Sequence, residues 1–599
     1  MEQSIQRAIL FSALLVLSAT SAFPWQKDAN IPRTIERIHV GPEGRIDFPA
    51  NLVPRVNTAL PLLKLTPQKA PVNFMREMLG KLGVKSESIQ PLARLSQTAP
   101  ETPKSLQGVM EENRLRAYWN EQSGDAEIFP ALSGEKAEKF SEQNLQLKRA
   151  TSIAAAIFAR PDIIKKDATQ ISIGEPHPLL GTTAEHTADR EATSSERLLY
   201  LTYVPVWRKV NGYQVYGPGS RGLVAVGNDG SIQGFLRRWK SADFAGQNRE
   251  VRSPQQVRSD ILKQLAPLAR EADVSVLSVE IAYYDDDKSF IWPTYRVTAK
   301  VHDLPQPTSG VEPGKNAVND NFIVRYLPIG SQSPVAFLKP LAAADPLPQM
   351  PRNDAGPQAL TIPPGDPTIG RYVVRNDDPN WVANANEFWG GLTSFSGGSL
   401  FTDAQYFWAE PWEFTSNEGS FVNSVQVAEN EVHGNWWYFT TYKNYGDGVS
   451  LTSIPATGGY GSSNHGNLDY WILHSCEVVP SAMDAPCSSD SRPWWTPWFN
   501  IFQGLHSVLG YRTIMYIDDD VTGPFATNLR LGAPVVSAWF NSTLSAPDYA
   551  SHPTYTAHCG TALPMGKPST ISSCGHQNDS VFNTAPLPAA NCLINFWQP

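Results

Sequence analysis

The pattern of apolar and polar positions divides the chain into two regions joined by a segment that fits neither a helix nor a strand. In the first region, Arg114 to Trp119, Leu199 to Trp207, Gly222 to Val226, Ser231 to Trp239 and Phe290 to Val301 read as strands. Turn signals separate them: Asn211-Gly212 marks a hairpin, and Asn228-Asp229-Gly230 joins the third strand to the fourth. Leu147 to Arg160 is an Ala-rich helical run closed by Pro161. Ser253-Pro254-Gln255-Gln256 is a helix start, with Ser as cap, Pro at the first helical position and Gln256 completing a capping box. That helix is expected to reach about Arg270. Residues 23–109 are expected to be a partly irregular extension.

Pro334 to Pro367 holds nine prolines. A backbone so poor in donors sustains neither a helix nor a central strand, so 335–369 is expected to be an extended linker open to cleavage. Beyond it, Phe421 to Val432, Leu468 to Ser475 and Arg512 to Ile517 read as strands. Phe499 to Gly510 and Phe525 to Trp539 read as helices, the second bent or broken at Pro534. The expected architecture is an α/β C-terminal domain over 370–599, three-layered with a mostly parallel sheet, preceded by α+β modules over 110–334.

The N-terminus changes the picture of where the chain works. Arg7 precedes an apolar run from Ala8 to Ala19, and small residues lead to Ala22. This is the pattern of a cleavable signal peptide over 1–22, too short to span a bilayer, and it predicts a secreted, extracytoplasmic protein. Charge is uneven. Residues 370–599 carry 7 Lys+Arg and 19 Asp+Glu, a net of −12, whereas the rest carries +3. An acidic C-terminal half argues against nucleic acid as a partner, and the opposite signs let the two halves attract.

The five cysteines are Cys476, Cys487, Cys559, Cys574 and Cys592. An odd number leaves at least one thiol outside intramolecular pairs. If Cys476 is that thiol, Cys487, Cys559, Cys574 and Cys592 are disulfide candidates with three possible pairings. If Cys476 pairs with Cys487, another thiol is left over.

His433-Gly434 closes one predicted strand, and Cys476 closes the next, 43 residues on. Both sit where a strand meets a loop, the rim on which open α/β sheets place ligands. A thiol is a useful nucleophile only as thiolate, which an adjacent imidazole supports. His465-Gly466, in a Gly-rich loop before the second strand, is a possible site border, as is Glu477 beside the thiol. Most of the eleven histidines lie after residue 430, near Asp518-Asp519-Asp520. No His-Glu-x-x-His or Cys-x-x-Cys stands in the chain. No metal and no cofactor are therefore expected, and the three aspartates read as a solvated turn.

Two resemblances rest on these residues. Tyr203-Val-Pro-Val-Trp-Arg-Lys-Val-Asn-Gly-Tyr-Gln-Val-Tyr-Gly-Pro-Gly-Ser, Leu223-Val-Ala-Val and Trp292-Pro-Thr-Tyr-Arg-Val-Thr-Ala resemble the fungalysin/thermolysin propeptide and PepSY modules, over 110–302. The resemblance implies an intramolecular pro-segment that inhibits or chaperones the domain C-terminal to it. Residues 370–599, with His433-Gly434 and Cys476 each after an apolar strand, resemble a secreted domain family of unknown function, itself similar to caspase/gingipain-type cysteine peptidases. That resemblance implies a caspase-like fold, His433 as general base, Cys476 as nucleophile, and the backbone N–H groups of Gly434 and Cys476 facing the oxyanion of a peptide or protein substrate. His474-Ser475 stands where caspases have Gln-Ala. A different class of function rests on aromatics. Twelve of the 17 Trp lie at or after Trp381, and a Trp-rich surface would make a non-catalytic extracellular module binding carbohydrate or protein.

Overall fold

The computed structural model describes residues 35–302 and 320–599, less 41–43, 57–59, 93–105, 112–113, 188–189, 249, 271, 331–337, 339–345, 353–366, 375–378, 394–399, 443–447, 455–457, 485–492, 518–519, 552–553 and 557–561. The leader expected at 1–22, Cys487, Cys559, Asp518, Asp519 and most of the linker lie outside the described residues.

Short apolar runs supply the strands of the C-terminal half: β1 (Thr368–Val373), β2 (Thr402–Trp408), β3 (Val427–Glu431), β4 (Tyr470–His474) and β5 (Ser507–Tyr511). They pair in parallel in the order β2-β1-β3-β4-β5. The sheet continues antiparallel through β6 (Pro568–Ser573) and β7 (Cys592–Trp597). Every residue of β1, β3, β4, β5 and β6 is buried, as expected of strands covered on both faces. One face carries α1 (Pro379–Thr393), α2 (Thr522–Arg530) and α3 (Val535–Ser545). Pro534 caps α3 and separates it from α2, where the sequence predicted a break. The other face is covered by aromatic loops in which Phe414, Phe439 and Tyr460 meet edge-on with one another or with Trp471 of β4.

Three predicted elements are displaced. The strand expected from Phe421 begins only at Val427, because Val422–Ser424 forms a 3-10 turn. The helix expected over Phe499 to Gly510 is a single turn, Trp498–Ile501, and Ser507–Tyr511 is a central strand. The turn ends at Phe502, whose ψ of 71° is not helical and which bridges to Tyr460, and Gly504, with φ +121°, then packs its backbone on Gly461 and Ser462. A buried parallel strand is a continuous apolar run, so Val508 and Leu509 carry no period that distinguishes it from a helix. The strand expected at Arg512 to Ile517 instead leaves the sheet and crosses its carboxyl rim.

The N-terminal half is built as its pattern predicts. The strands Arg114–Asn120, Leu198–Val210, Arg221–Gly227, Ile232–Arg238 and Phe290–His302 all form. Asn211 and Gly212 both take positive φ at the hairpin. The capping box at Ser253 starts the helix Pro254–Leu265. The described residues before 110 include strands that join this core. Gly44–Pro49 pairs with the strand Asp273–Asp285, and Pro61–Thr66 pairs with both Ser241–Asn248 and Phe290–His302. Ile46, Phe48 and Leu63 enter the same core as these partners, so burial, not turn chemistry, decides the segment.

The halves are not merely tethered. β7 pairs antiparallel with the strand His177–Thr187, from Leu180↔Trp597 to Glu185↔Cys592. One sheet therefore runs from β2 into the N-terminal half.

Candidate active site at the carboxyl rim

β3 and β4 are in register from Val427↔Tyr470 to Glu431↔His474. This offset is the same 43 residues that separates His433 from Cys476, so each lies two residues past one closing pair of the ladder. In a β2-β1-β3-β4-β5 sheet the crossovers change direction beside β1 and β3, and the crevice there is the usual ligand position. The two predicted residues thus emerge together at the carboxyl rim, next to the switch point.

Their surroundings are close-packed. His433 is buried with its ring against the edge of Trp381 in α1, and its carbonyl accepts from Thr440 N–H at 2.9 Å. A Cβ built on Gly434 would overlap Ser475 Oγ, Val478 and the Cys476 carbonyl. Gly434 is therefore required by the chain's own close approach. Cys476 is a buried thiol, 9% exposed, and Met515 N–H points at its Sγ at 3.5 Å. Among the described residues a disulfide joins Cys574 and Cys592. Glu477, next in the chain, is buried with φ +53°, a left-handed backbone that a non-glycine residue adopts at some cost.

Beneath this pair is a group that sequence reasoning missed. His474 Nδ1 lies 2.8 Å from Glu431 Oε2, both side chains fully buried, and Asn384 of α1 donates to the same oxygen at 3.2 Å. Burial, with Glu431 adjoining, holds the Glu429 carboxyl well above its usual range. The Glu431–His474 link ties the last residues of β3 and β4 together just before His433 and Cys476. The signal was visible as Glu431-x-His433 and His474-x-Cys476, which repeat one spacing on adjacent strands.

The N-terminal half covers this rim. Tyr516, next to Met515, bridges to Phe322, and Ile517 N–H donates to the Phe322 carbonyl at 3.3 Å. Tyr216, Tyr284 and Tyr326 of the N-terminal half pack with Tyr516 and Met565. Arg296 reaches across to Asp548 at 3.1 Å with both side chains buried, and Tyr326 Oη donates to the same carboxylate at 2.8 Å. Arg221 donates to the carbonyl of Asp520. Asp520 is thus buried at the joint and does not form part of a solvated turn.

Other predicted residues sit apart. His465 and Gly466 precede β4, and Gly466 packs against Asn423. They belong to the amino rim, the opposite end of the strand from Cys476, and do not border the site. At that amino rim His506, His576 and Asp579 come together, an assembly the sequence did not suggest. Of the twelve Trp from Trp381 on, eight are buried and none is exposed, so they form core and loop packing instead of a Trp-rich surface. No helix among the described residues is long and apolar enough to cross a membrane.

Residues 372–570 match a domain family of unknown function, DUF6345. No curated protein matches the chain. Among solved structures, an uncharacterized protein from Eubacterium rectale ATCC 33656 aligns over 50% of this chain and 92% of its own, at 10% identity and a TM-score of 0.26.

Proposed function

We propose that the protein is an exported cysteine-type peptidase precursor of divergent caspase-like fold, with His433 as general base and Cys476 as nucleophile. The observation that carries this reading is the register of β3 and β4, which brings the two residues out side by side at the carboxyl rim. His433 takes the thiol proton, the Cys476 thiolate attacks a peptide carbonyl carbon, and the amine leaves with that proton. Water then hydrolyses the thioester. The N–H groups of Gly434 and Cys476 are the candidate donors to the oxyanion.

The N-terminal half acts as the pro-segment. Its β-strand Asp320–Pro328 lies against the segment that carries Met515 and Tyr516, so the thiol stays covered while the halves are joined. A linker on the same chain keeps this cover at high effective concentration.

The test is thiol labelling of the full chain followed by peptide mapping, before and after a protease cut between residues 353 and 366. Cys476 is expected to label slowly in the intact chain and at least about 10-fold faster after the cut, with peptide hydrolysis appearing alongside. His433→Ala should slow labelling of the cut chain near neutral pH, because the imidazole no longer supports the thiolate. Cys476 mapped to a disulfide would end the reading, and so would equal labelling in wild type and His433→Ala. Hydrolysis already complete in the intact chain would remove the pro-segment.

A further inference from the structure

The amino rim of the C-terminal sheet carries a cluster that the peptidase chemistry does not use. His506 enters β5, while His576 and Asp579 lie on the loop after β6, which the Cys574–Cys592 disulfide ties to β7. Asp579 Oδ2 is 2.8 Å from His506 Nδ1 and 2.8 Å from His576 Nδ1. The three ligand atoms all lie within 4.8 Å of one another.

The hydrogen-bond pattern around His506 makes this more than a cluster of polar groups. Its Nε2 faces the carbonyl of Ala585 at 3.3 Å, with Asp469 beyond at 4.0 Å. A carbonyl only accepts, so Nε2 is the nitrogen that carries the proton in the neutral ring. Nδ1 then presents a lone pair to Asp579 Oδ2, also an acceptor. Tyr470 does not relieve this. Its hydroxyl is 3.4 Å from Nδ1 but donates to the Ser580 carbonyl at 2.7 Å. Two lone pairs at 2.8 Å call for a cation between them, and a metal-ligating imidazole characteristically gives its other N–H to a carbonyl or carboxylate. Both halves of that arrangement are present.

The geometry points to a site for one zinc-class divalent ion, bound by His506 Nδ1, His576 Nδ1 and Asp579 Oδ2. Two nitrogen ligands of three favour such an ion over calcium or magnesium, which take oxygen. Tetrahedral bonds of about 2.0–2.2 Å set ligand atoms about 3.4 Å apart, so Asp579 Oδ2, now 2.8 Å from each nitrogen, draws back slightly to admit the ion. The His576 side chain is 35% exposed, which gives the ion a way in and leaves the fourth position to water. The ion clasps the loop after β6 onto the start of β5.

The experiment uses the full chain, stripped with a chelator and titrated with zinc chloride, with bound metal counted after gel filtration. One zinc per chain is expected. His576→Ala and Asp579→Asn should each weaken uptake at least about 100-fold. His576 is partly exposed, so its variant is expected to fold, and thermal unfolding without zinc checks that. Wild type should gain thermal stability on adding zinc, whereas His576→Ala should not. Excess magnesium or calcium should not compete. Equal zinc uptake by wild type and His576→Ala would overturn the site. Failure of the wild type to take up zinc would also overturn it.

Discussion

The two rims of the C-terminal sheet are held in different ways. At the carboxyl rim, His433 and Cys476 lie under the N-terminal half, and the joint is made of desolvated charge and aromatic rings: Arg296 with Asp548, Tyr326, Tyr216 and Tyr516. At the amino rim the C-terminal half adds ties of its own, the Cys574–Cys592 disulfide and the contacts among His506, His576 and Asp579. A covalent clasp holds whatever the rest of the molecule does. A joint of buried ions is stable only while its partners stay paired. The largest effect should therefore come from Arg296→Ala. It leaves the Asp548 carboxylate buried beside Tyr326 with its cation gone, a change that typically costs about 3–5 kcal/mol. Urea unfolding should show that loss, and Cys476 should label faster in the intact chain. A variant with wild-type stability and a still-covered thiol would break the contrast between the rims.

The same joint should respond to pH. Lys567 Nζ donates to Tyr549 Oη at 2.8 Å, and burial, reinforced by the Arg512 charge, pulls its pKa down to about 7. His177 packs edge-on against the same tyrosine, and burial, with Lys567 adding to it, holds its imidazole well below the usual value. Both bases bind fewer protons folded than unfolded, so stability rises with pH wherever they titrate. For Lys567 that window runs from about 7 to the unfolded value of about 10.4, and for His177 it lies at and below about 6.5. Stability is expected to climb by a few kcal/mol between about pH 7 and 10, the slope approaching about 1.4 kcal/mol per pH unit mid-window. Lys567→Met should flatten that rise and His177→Phe the acid limb. An unchanged slope in Lys567→Met would show that the joint does not sense protons.

How far the sequence reaches depends on the range of each signal. The strand ends at His433 and Cys476 were legible because the chain spacing equals the ladder offset of adjacent parallel strands. β5 was misplaced because Val508, Leu509 and Tyr511 are apolar without period, buried on both faces. His506 and His576 meet only because β5 and β6 pair antiparallel, Ser507 opposite Ser572, and no local pattern announces that pairing. Asn541-Ser-Thr and Asn578-Asp-Ser read as glycosylation sequons, yet Asn541 is buried and donates to Glu127 at 2.9 Å. Asn578 exchanges two hydrogen bonds with the backbone of Leu132. Both amides hold the halves together, a use that a three-residue motif cannot reveal.

The smallest expected effect gives the finest comparison. Glu477 and His465 flank β4 at opposite rims, and both take a left-handed backbone, φ +53° and +57°. Glycine at either position relieves the Cβ crowding of that conformation but adds freedom to the unfolded chain, so each substitution should shift stability by less than about 1 kcal/mol. Their effects on the thiol should differ. Glu477 adjoins Cys476, and a carboxylate there disfavours the thiolate. Glu477→Gly should therefore speed labelling of Cys476 in the cut chain near neutral pH, by a few-fold. His465→Gly should leave labelling unchanged, since the length of β4 separates it from the thiol. The ratio of the two rates isolates local charge from backbone relief, because both variants share the second and only one alters the first. If His465→Gly matched Glu477→Gly, the thiol would be sensing the conformation of the whole strand, and the independence of the two rims would be lost.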